Sequence, residues 1–317
     1  MIAFVFPGQG SQHVGMGKGL ADGFDVCRAT LEEADDALGS GLTELCFHGP
    51  EDVLMLTENT QPAVLAVSVA IHRLLVSRGL APGILAGHSL GEYSAHVAAG
   101  TISFADALRT VRRRGQYMQE AVPVGTGAMA AILGLDADAV SQACRESAGD
   151  DVVSAANLNA PGQVVIAGSS AAVARASDRA KELGARRVMP LPVSAPFHCA
   201  LMKPAERRLE RDLRQLVVSD PRIPVVANVD AELKEDAAVA VDALVRQVSA
   251  PVRWEAVVRR LTESGARGFV EVGPGKVLSG LIKKIDRTAR VFSVNDAEGL
   301  DRVEKALRAG EMSEVDG

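Results

Sequence analysis

Residues 84–92 read Ile-Leu-Ala-Gly-His-Ser-Leu-Gly-Glu, and this stretch decides how the rest of the chain is interpreted. An apolar run too short for a helix core leads into the pattern Gly-x-Ser-x-Gly, and a helical pattern follows over residues 92–99. Strand, sharp turn and helix are the context in which this pattern forms a nucleophile elbow. The flanking glycines let the strand and the helix approach closely. An accidental match in a surface turn explains neither flank, so the stretch predicts Ser89 as a nucleophile on an α/β fold.

Composition and charge narrow the class of protein. The chain has 317 residues, 47% of them hydrophobic and 23% charged, which is typical of a globular protein. A net charge of −6 argues against nucleic acid as the partner, because phosphate binding needs a basic surface. The four cysteines show no Cys-x-x-Cys spacing, so neither a zinc site nor a disulfide framework is indicated. We expect reduced thiols in a cytoplasmic protein.

The first apolar run, over residues 2–6, follows no positively charged segment. It therefore predicts a buried strand rather than a signal peptide. By sequence pattern, no apolar stretch approaches the length of about 20 residues that a membrane span needs. The sequence predicts no membrane partner.

Strands alternate with helices along most of the chain, which favours a mostly parallel sheet covered on both faces. The elbow makes this part α/β-hydrolase-like. Its strands are predicted over residues 2–6, 84–86, 223–229, 268–272 and 291–294. Its helices are predicted over residues 24–38, 60–75, 92–99, 104–121, 201–216, 237–247, 252–264, 276–286 and 300–309. Residues 42–47 are predicted to form a short helix or a turn. A frayed polar tail is expected over residues 311–317.

The pattern changes between residues 124 and 193. Strand, helix, strand, strand, helix and strand follow one another there, which is the order of a ferredoxin-like unit. These elements are predicted over residues 128–135, 136–148, 152–158, 163–167, 170–183 and 186–191. We therefore predict an inserted ferredoxin-like subdomain over residues 124–193, and a catalytic subdomain made of residues 1–123 and 194–317.

A serine hydroxyl needs a neighbouring base, and histidine is the usual one. His198 stands in a proline-bounded loop directly after the inserted segment and is one candidate. His88 adjoins Ser89, and side chains of adjacent residues diverge. The other histidines lie in predicted helices or in loops without a distinctive setting: His13, His48, His72 and His96.

The order of residues weakens the hypothesis of an ordinary esterase. Hydrolases of this fold run serine, acid and then histidine near the C-terminus. Here a long segment of predicted helices and strands follows His198. Before His198, no acidic residue lies in a loop that obviously follows a strand. The pattern favours a Ser–His pair whose imidazole is oriented by something other than a carboxylate.

Acyl chemistry also needs donors for an oxyanion. In an elbow, one donor is the N–H of the residue after the serine, here Leu90, and the other comes from a loop after another strand. The turn Pro7–Gly10 suits that role through the N–H of Gln9, although it can also be only a tight turn. It lacks the spacing of a dinucleotide fingerprint, and Gly273–Lys276 lacks that of a phosphate-binding loop.

A helix after the elbow carries four arginines, and one of them can clamp a substrate carboxylate bidentately. Arg112 and Arg113 are interpreted as parts of a solvated face. The pattern alone does not choose the clamp among the cluster of Arg109, Arg112, Arg113 and Arg114.

Several separated motifs, in order and spacing, resemble those of the malonyl-CoA:acyl-carrier-protein transacylases, an acyltransferase family shared with polyketide synthases. The resemblance spans nearly the whole chain. The motifs are Phe6–Gln12, Gly87–Ala95, Arg114–Gln119, Asn159–Gln163, Phe197–His198 and Glu271–Gly275.

The resemblance implies a role for each matching position. Ser89 would carry the malonyl ester and His198 would be its general base and acid. The N–H groups of Gln9 and Leu90 would form the oxyanion hole. The remaining positions would be Arg114 as the carboxylate clamp with His88 close to the same group, the backbone carbonyl of Gln247 orienting the imidazole, and Gln61 and Asn159 lining the site.

The implied reaction is a ping-pong transfer from malonyl-CoA to the phosphopantetheine thiol of an acyl carrier protein, in fatty-acid synthesis. Neither a metal nor another cofactor is expected, and the chain is expected to be a monomer. Since carrier proteins of this type are acidic, a local basic surface should receive them. The candidates are Arg207, Arg208, Arg211 and Arg214, or Lys283, Lys284 and Arg287, although either group also fits an ordinary solvated helix face.

Three alternatives stay open. The first is a free-standing acyltransferase of a polyketide synthase, with another extender unit; the bulk of Phe197 beside His198 disfavours an α-methyl branch. The second is a serine hydrolase. The third is a non-catalytic module that binds a carrier protein.

Overall fold

A computed structural model describes residues 1–193 and 195–309 of the chain. The strands of the described residues are β1 Ile2–Phe6, β2 Ile84–Gly87, β3 Gly127–Leu133, β4 Val153–Ala160, β5 Gln163–Ser169, β6 Arg187–Pro190, β7 Val225–Val226, β8 Leu233–Lys234, β9 Gly268–Val272 and β10 Arg290–Val294. The helices are α1 Lys18–Gly23, α2 Asp25–Leu38, α3 Leu42–His48, α4 Glu51–Leu54, α5 Thr57–Ser77, α6 Gly91–Ala98, α7 Phe104–Glu120, α8 Ala137–Ala148, α9 Ser170–Glu182, α10 Lys203–Leu213, α11 Ala237–Gln247, α12 Trp254–Glu263, α13 Val277–Ile285 and α14 Ala297–Arg308.

The larger sheet has the strand order β10-β9-β1-β2-β7-β8, and all its pairs are parallel except β7 with β8. Alternate residues of β1 enter different apolar clusters. Phe4 and Phe6 pack with α5 and α7 on one face, whereas Ala3 and Val5 pack with α12 and α13 on the other. Helices therefore cover both faces, as a buried parallel strand requires. The elbow lies at the carboxyl end of β2, in the middle of this sheet.

The smaller sheet is antiparallel, with the strand order β4-β5-β3-β6. Helices α8 and α9 pack on it around Ile132, Val164 and Ile166, which are fully or almost fully buried. The six elements predicted between residues 128 and 191 are all present in the predicted order. The chain is thus an α/β protein with one mainly parallel and one antiparallel sheet.

Several predicted boundaries are wrong for local reasons. The strand predicted over 223–229 pairs only at Val225–Val226, because the chain then turns away. The helix predicted from Val252 begins at Trp254, since Val252 forms an isolated parallel bridge with Asn157. Strand β4 extends through Ala160, so Pro161–Gly162 alone makes the turn to β5.

Other differences lie in the helices. Helix α5 begins at Thr57, so Pro62 lies inside it and not in its first turn as predicted. Helix α14 begins at Ala297, because the side chain of Asp296 caps it by accepting from the N–H of Gly299 at 2.7 Å. Helices α1 and α4 and strand β8 were not predicted, since each is too short to show a periodicity. The polar tail predicted over 311–317 lies outside the described residues.

Helix α5 corrects the prediction that no stretch is long enough for a membrane span. It has 21 residues and is long and apolar enough by length and composition. However, 78% of its most apolar window is buried inside the fold, against α2 and α7 among other elements. A core helix passes the same test, so this helix is weak evidence for a membrane.

Candidate active site

The elbow holds Ser89 in a left-handed conformation with φ 51°, between β2 and α6. For a residue other than glycine this conformation costs about 1–3 kcal/mol, so the surroundings must hold it. A Cβ on Gly87 would lie 1.9 Å from the carbonyl carbon of Gly91, and one on Gly91 would lie 2.0 Å from the carbonyl oxygen of Phe6. Only glycine fits at both positions, which explains the spacing of the motif.

Ser89 and His198 come from distant parts of the chain and meet in one hydrogen bond. The Oγ of Ser89 lies 2.7 Å from Nε2 of His198. The other ring nitrogen, Nδ1, lies 2.9 Å from the backbone carbonyl oxygen of Gln247. Since a carbonyl only accepts, Nδ1 carries the proton and Nε2 is free to accept from the serine. A carbonyl therefore orients the imidazole where many hydrolases use a carboxylate.

The imidazole of His198 is neutral at pH 7. Burial lowers its pKa to about 3, and the positive charge of Arg114 acts in the same direction. His198 itself has φ 59°, so both members of the pair are held in left-handed backbone conformations. A neutral imidazole in contact with a serine hydroxyl can act as a general base.

Arg114 is the one arginine of its helix that points inward; it is 1% exposed. Its Nη1 donates to Oε1 of Gln61 at 2.8 Å, and its Nη2 donates to Oγ of Ser89 at 3.1 Å and to Oε1 of Gln247 at 2.9 Å. No carboxylate among the described residues lies within ion-pair distance of it. A buried guanidinium that forms no salt bridge is suited to bind an acidic group of a substrate.

The other arginines of the cluster have surface partners, as interpreted for Arg112 and Arg113. Arg109 pairs with Asp106 and Arg113 with Asp212, while Arg112 donates to the hydroxyl of Ser40.

The turn after β1 lies directly against the elbow. A Cβ on Gly8 would lie 2.5 Å from the carbonyl oxygen of His88, and Oγ of Ser11 donates to the carbonyl oxygen of Gly8 at 2.8 Å. Gln9 and Leu90 consequently line the same cavity as Ser89. Leu90 also precedes the first turn of α6, where unpaired N–H groups create a positive potential. The wall of this cavity therefore contains both residues that are predicted to supply the oxyanion hole.

The cavity beside Ser89 has a volume of about 290 Å³. Polar groups of Gln9, Gln61, His88, Arg114 and His198 meet there with an apolar wall. That wall consists of Met55, Leu90, Met118, Met129, Leu191, Pro192, Val193 and Phe197. Such a cavity suits a small acyl group with one acidic end.

Comparison with known proteins agrees with this arrangement. The family model described as "Acyl transferase domain" matches residues 3–309. The chain belongs to this acyl transferase family.

Individual members of the family are similar to this chain over almost their whole length. The curated malonyl CoA-acyl carrier protein transacylase of Salmonella typhimurium is 51% identical over 300 residues, covering 94% of this chain and 97% of that protein. The protein of the same name from Bacillus subtilis is 46% identical over 308 residues, covering 97% of each chain. A crystal structure of an acyl carrier protein S-malonyltransferase from Vibrio cholerae superimposes with a TM-score of 0.94 at 51% identity, covering 95% of this chain and 99% of that one.

A malonyl-transacylase solved with a type II polyketide-synthase acyl carrier protein is just as similar. Its TM-score is 0.94 at 50% identity, and the match covers 96% of this chain and 99% of that one.

For this acyl transferase, Asn159 lies outside the cavity that the resemblance implies for it, and His88 makes a contact that the resemblance does not imply. His88 lines the cavity, but its Nε2 is engaged with Oδ1 of Asn159 at 2.9 Å, and burial lowers its pKa. Asn159 does not line the cavity of Ser89, where Asn157 lies instead. It lines an adjoining cavity of about 210 Å³, together with Gln163 and Val277. Asn159 therefore contacts the site through His88, and it lies where the pairing of β4 with β5 shifts its register, between Leu158 and Ala160.

Sequence reasoning missed two buried polar residues of the acyl transferase site, Glu92 and Asn228. Oε2 of Glu92 accepts from Nε2 of Gln247 at 2.7 Å and from the N–H of Asn228 at 3.0 Å. Burial raises the pKa of Glu92 to about 7. Glu92 stood in the decisive stretch but resembled an ordinary first residue of a helix, and Asn228 was predicted inside a strand. No local signal distinguished either one.

Proposed function

We propose that the chain transfers a malonyl group from malonyl-CoA to the phosphopantetheine thiol of an acyl carrier protein. The observation that carries the proposal is the buried guanidinium of Arg114, which lies 3.1 Å from Oγ of Ser89 and forms no salt bridge with a carboxylate among the described residues. The free carboxylate of a malonyl group supplies the missing charge. The names of the curated relatives support the same donor and acceptor.

The first half of the reaction loads Ser89. The hydroxyl gives its proton to Nε2 of His198 while Oγ attacks the thioester carbonyl of malonyl-CoA. The N–H groups of Gln9 and Leu90 donate to the oxyanion of the tetrahedral intermediate. The C–S bond then breaks, His198 returns its proton to the departing sulfur, and Ser89 is left as a malonyl ester.

The second half unloads Ser89 onto the carrier. The pantetheine thiol gives its proton to Nε2 of His198, and its sulfur attacks the ester carbonyl. The oxyanion is bound as before, the C–O bond breaks, and His198 protonates Oγ of Ser89. The carbonyl of Gln247 keeps Nδ1 protonated throughout, so Nε2 remains the nitrogen that exchanges protons.

The size of the acyl group is limited beside His198. Phe197 is 8% exposed and lines the cavity, so it leaves little room for an α-methyl branch. We expect malonyl-CoA to win a direct competition with methylmalonyl-CoA. Preference for the branched donor would contradict this part of the proposal.

The pathway is proposed as fatty-acid synthesis, with polyketide synthesis as the alternative. The alternative has a specific observation in its favour, because the transacylase bound to a polyketide carrier is 50% identical to this chain. Comparing transfer rates to a fatty-acid carrier and to a polyketide carrier separates the two.

Intact-mass analysis tests the function directly. After incubation with malonyl-CoA, the protein should gain the mass of one malonyl group, and peptide mapping should place it on Ser89. The Ser89→Ala variant is the matched control and should gain nothing. No adduct on the native chain would favour the non-catalytic carrier-binding module instead.

Two basic helix faces were candidates for receiving the acidic carrier, and we propose the one on α13. Arg208 on α10 and Arg214 directly after it are neutralised by Glu120 and Glu210, respectively. Lys284 instead donates to Oε1 of Gln163 at 2.7 Å, beside the cavity that adjoins the active site. Charge reversal at Lys284 should raise the KM for the carrier, whereas Arg207→Glu on α10 should not.

We also propose an α/β-hydrolase-like catalytic subdomain of residues 1–123 and 194–317 and a ferredoxin-like subdomain of residues 124–193. The order and pairing of β3 to β6 support the second assignment. A monomer in the cytoplasm is proposed as well. The four buried thiols, whose pKa values burial raises to between about 11 and about 12, suit a reducing compartment.

A further inference from the structure

Asn228 is fully buried just after β7, and its side chain is bound to the backbone of the elbow. Its Oδ1 accepts from the N–H of Ser89 at 2.7 Å, and its Nδ2 donates to the carbonyl oxygen of Gly87 at 2.7 Å. Both polar atoms of the amide are thus used on the two peptide groups that flank His88.

Through these two hydrogen bonds, the side chain of Asn228 continues the pairing of β2 with β7. Strand β2 pairs in parallel with β7 at Leu85 with Val225 and at Ala86 with Val226. In a parallel ladder, one residue bonds to the C=O and the N–H that flank the residue opposite. The amide of Asn228 supplies that donor and acceptor one step beyond the point where the backbone of β7 leaves the sheet.

The other edge of the elbow is held by β1. The N–H of His88 donates to the carbonyl oxygen of Phe6 at 2.9 Å. The elbow is therefore hydrogen-bonded on both sides, by backbone on one and by the side chain of Asn228 on the other. The strained conformation of Ser89 requires such support.

The backbone of Asn228 extends the support to the rest of the site. Its N–H donates to Oε2 of Glu92, which also accepts from Nε2 of Gln247. Gln247 in turn accepts from Nδ1 of His198 through its carbonyl and from Arg114 through its side chain. One network of buried hydrogen bonds thus connects Ser89, the imidazole of His198 and the guanidinium of Arg114.

We propose that Asn228 is a positioning residue for acyl transfer, whose side-chain amide holds Ser89 within reach of His198. The inference rests on the proposed function, since it assumes that Ser89 is the nucleophile. Asn228 does not line the cavity beside Ser89, so its substitution should affect every acyl donor equally.

The test is single-turnover acylation of Asn228→Ala with malonyl-CoA and with acetyl-CoA. We expect the acylation rate to fall on the order of tenfold to a hundredfold for both donors, because a small misplacement of a nucleophile is costly. The ratio of the two rates and the affinity for malonyl-CoA should stay as in the native enzyme. Rates are taken per folded molecule, with the folded fraction measured by circular dichroism.

Asn228→Asp gives a second readout that a merely structural role would not produce. The aspartate keeps the acceptor for the N–H of Ser89 but places a second oxygen against the carbonyl of Gly87. Protonation of the carboxyl group restores the donor there. The rate of this variant relative to native enzyme should therefore rise as the pH is lowered.

Thr30→Val is the matched control for lost stability. Thr30 is buried on α2, and its hydroxyl donates to the carbonyl oxygen of Val26 at 2.7 Å, with no residue of α2 lining the cavity. This variant should lose stability without losing acylation rate per folded molecule.

Native-like rates per folded molecule in both Asn228 variants would overturn the inference, as would a pH profile of Asn228→Asp parallel to that of native enzyme. Failure of the proposed function has a different signature, because the native chain itself would then form no malonyl ester.

Discussion

The surroundings of Ser89 and the core of the smaller sheet are both buried, but their buried side chains differ in polarity. Between β3–β6 and the helices α8 and α9 the buried side chains are aliphatic, such as Ile132 and Ile166. Around Ser89 the buried side chains include Glu92, Arg114 and Gln247, all at most 1% exposed and hydrogen-bonded to one another or to the serine. One region is organised by packing and the other by hydrogen bonds.

Backbone strain follows the same division. Among the described residues other than glycine, positive φ occurs at Ser89, His198 and Ala231, and none of these lies in the smaller sheet. Ala231 follows the turn that contains Asn228. Strain is thus confined to the region whose task is to place reacting atoms, and the buried polar contacts there hold it. The comparison implies that substitutions in the two regions should affect different quantities.

The largest effect on activity should come from His198→Ala. Without a base at 2.7 Å from its hydroxyl, Ser89 should be acylated about a thousandfold more slowly. Stopped-flow release of CoA measures the rate, and His48→Ala, an exposed histidine on α3, is the control. A loss below about tenfold would show that the base lies elsewhere.

Next in size is Arg114→Ala. A charge-assisted hydrogen bond contributes about 1.5–3 kcal/mol, so malonyl transfer should lose about ten- to a hundredfold in kcat/KM. Acetyl-CoA has no carboxylate, and its kcat/KM should change much less. Arg113→Ala, on the exposed face of the same helix, serves as the control. Equal losses for both donors would make Arg114 a structural residue.

In the smaller sheet, Ile132→Ala should act on stability alone. Ile132 is fully buried, and its truncation should lower the free energy of unfolding by about 2–5 kcal/mol. The malonyl-to-acetyl ratio of kcat/KM, measured per folded molecule, should stay at the native value. A changed ratio would mean that the two regions are not separable.

The smallest effect concerns pH. Because burial lowers the pKa of His198 to about 3, the free enzyme keeps an unprotonated base well below pH 6.5. The kcat/KM for malonyl-CoA should therefore show no loss as the pH falls through the ordinary histidine range, and should drop only as the much lower folded pKa is approached. Because the pKa of Glu92 is raised to about 7, the same profile is measured in Glu92→Gln. A limb centred near pH 6.5 that persists in this variant would contradict a buried, neutral His198.

Prediction from sequence succeeded where information is local. The elements between residues 128 and 191 follow from alternation and turn residues, and the elbow follows from two glycines at fixed spacing. The caps at Ser103 and Asp136 are local contacts as well, since each side chain accepts from an N–H in the first turn of its own helix.

The buried polar contacts were not predictable in the same way. Ser89 and Asn228 are 139 positions apart, and Glu92 and Gln247 are 155 apart. Hydrophobic periodicity describes neighbouring residues only, so it cannot predict a contact between residues this far apart in sequence. The carboxylate missing from the sequence pattern is in fact present as Glu92, but it acts on Gln247 and not on the imidazole. The choice of Arg114 among its neighbours came from family resemblance, since helical spacing did not identify which arginine points inward.

The fate of the isolated malonyl-enzyme tests the account most directly. Native enzyme is loaded with radiolabelled malonyl-CoA, freed of CoA, and divided between buffer and buffer containing a phosphopantetheinylated acyl carrier protein. We expect rapid transfer of the label to the carrier thiol and slow release of malonate in buffer alone. Release of free malonate at the same rate with and without the carrier would identify a hydrolase and contradict the account.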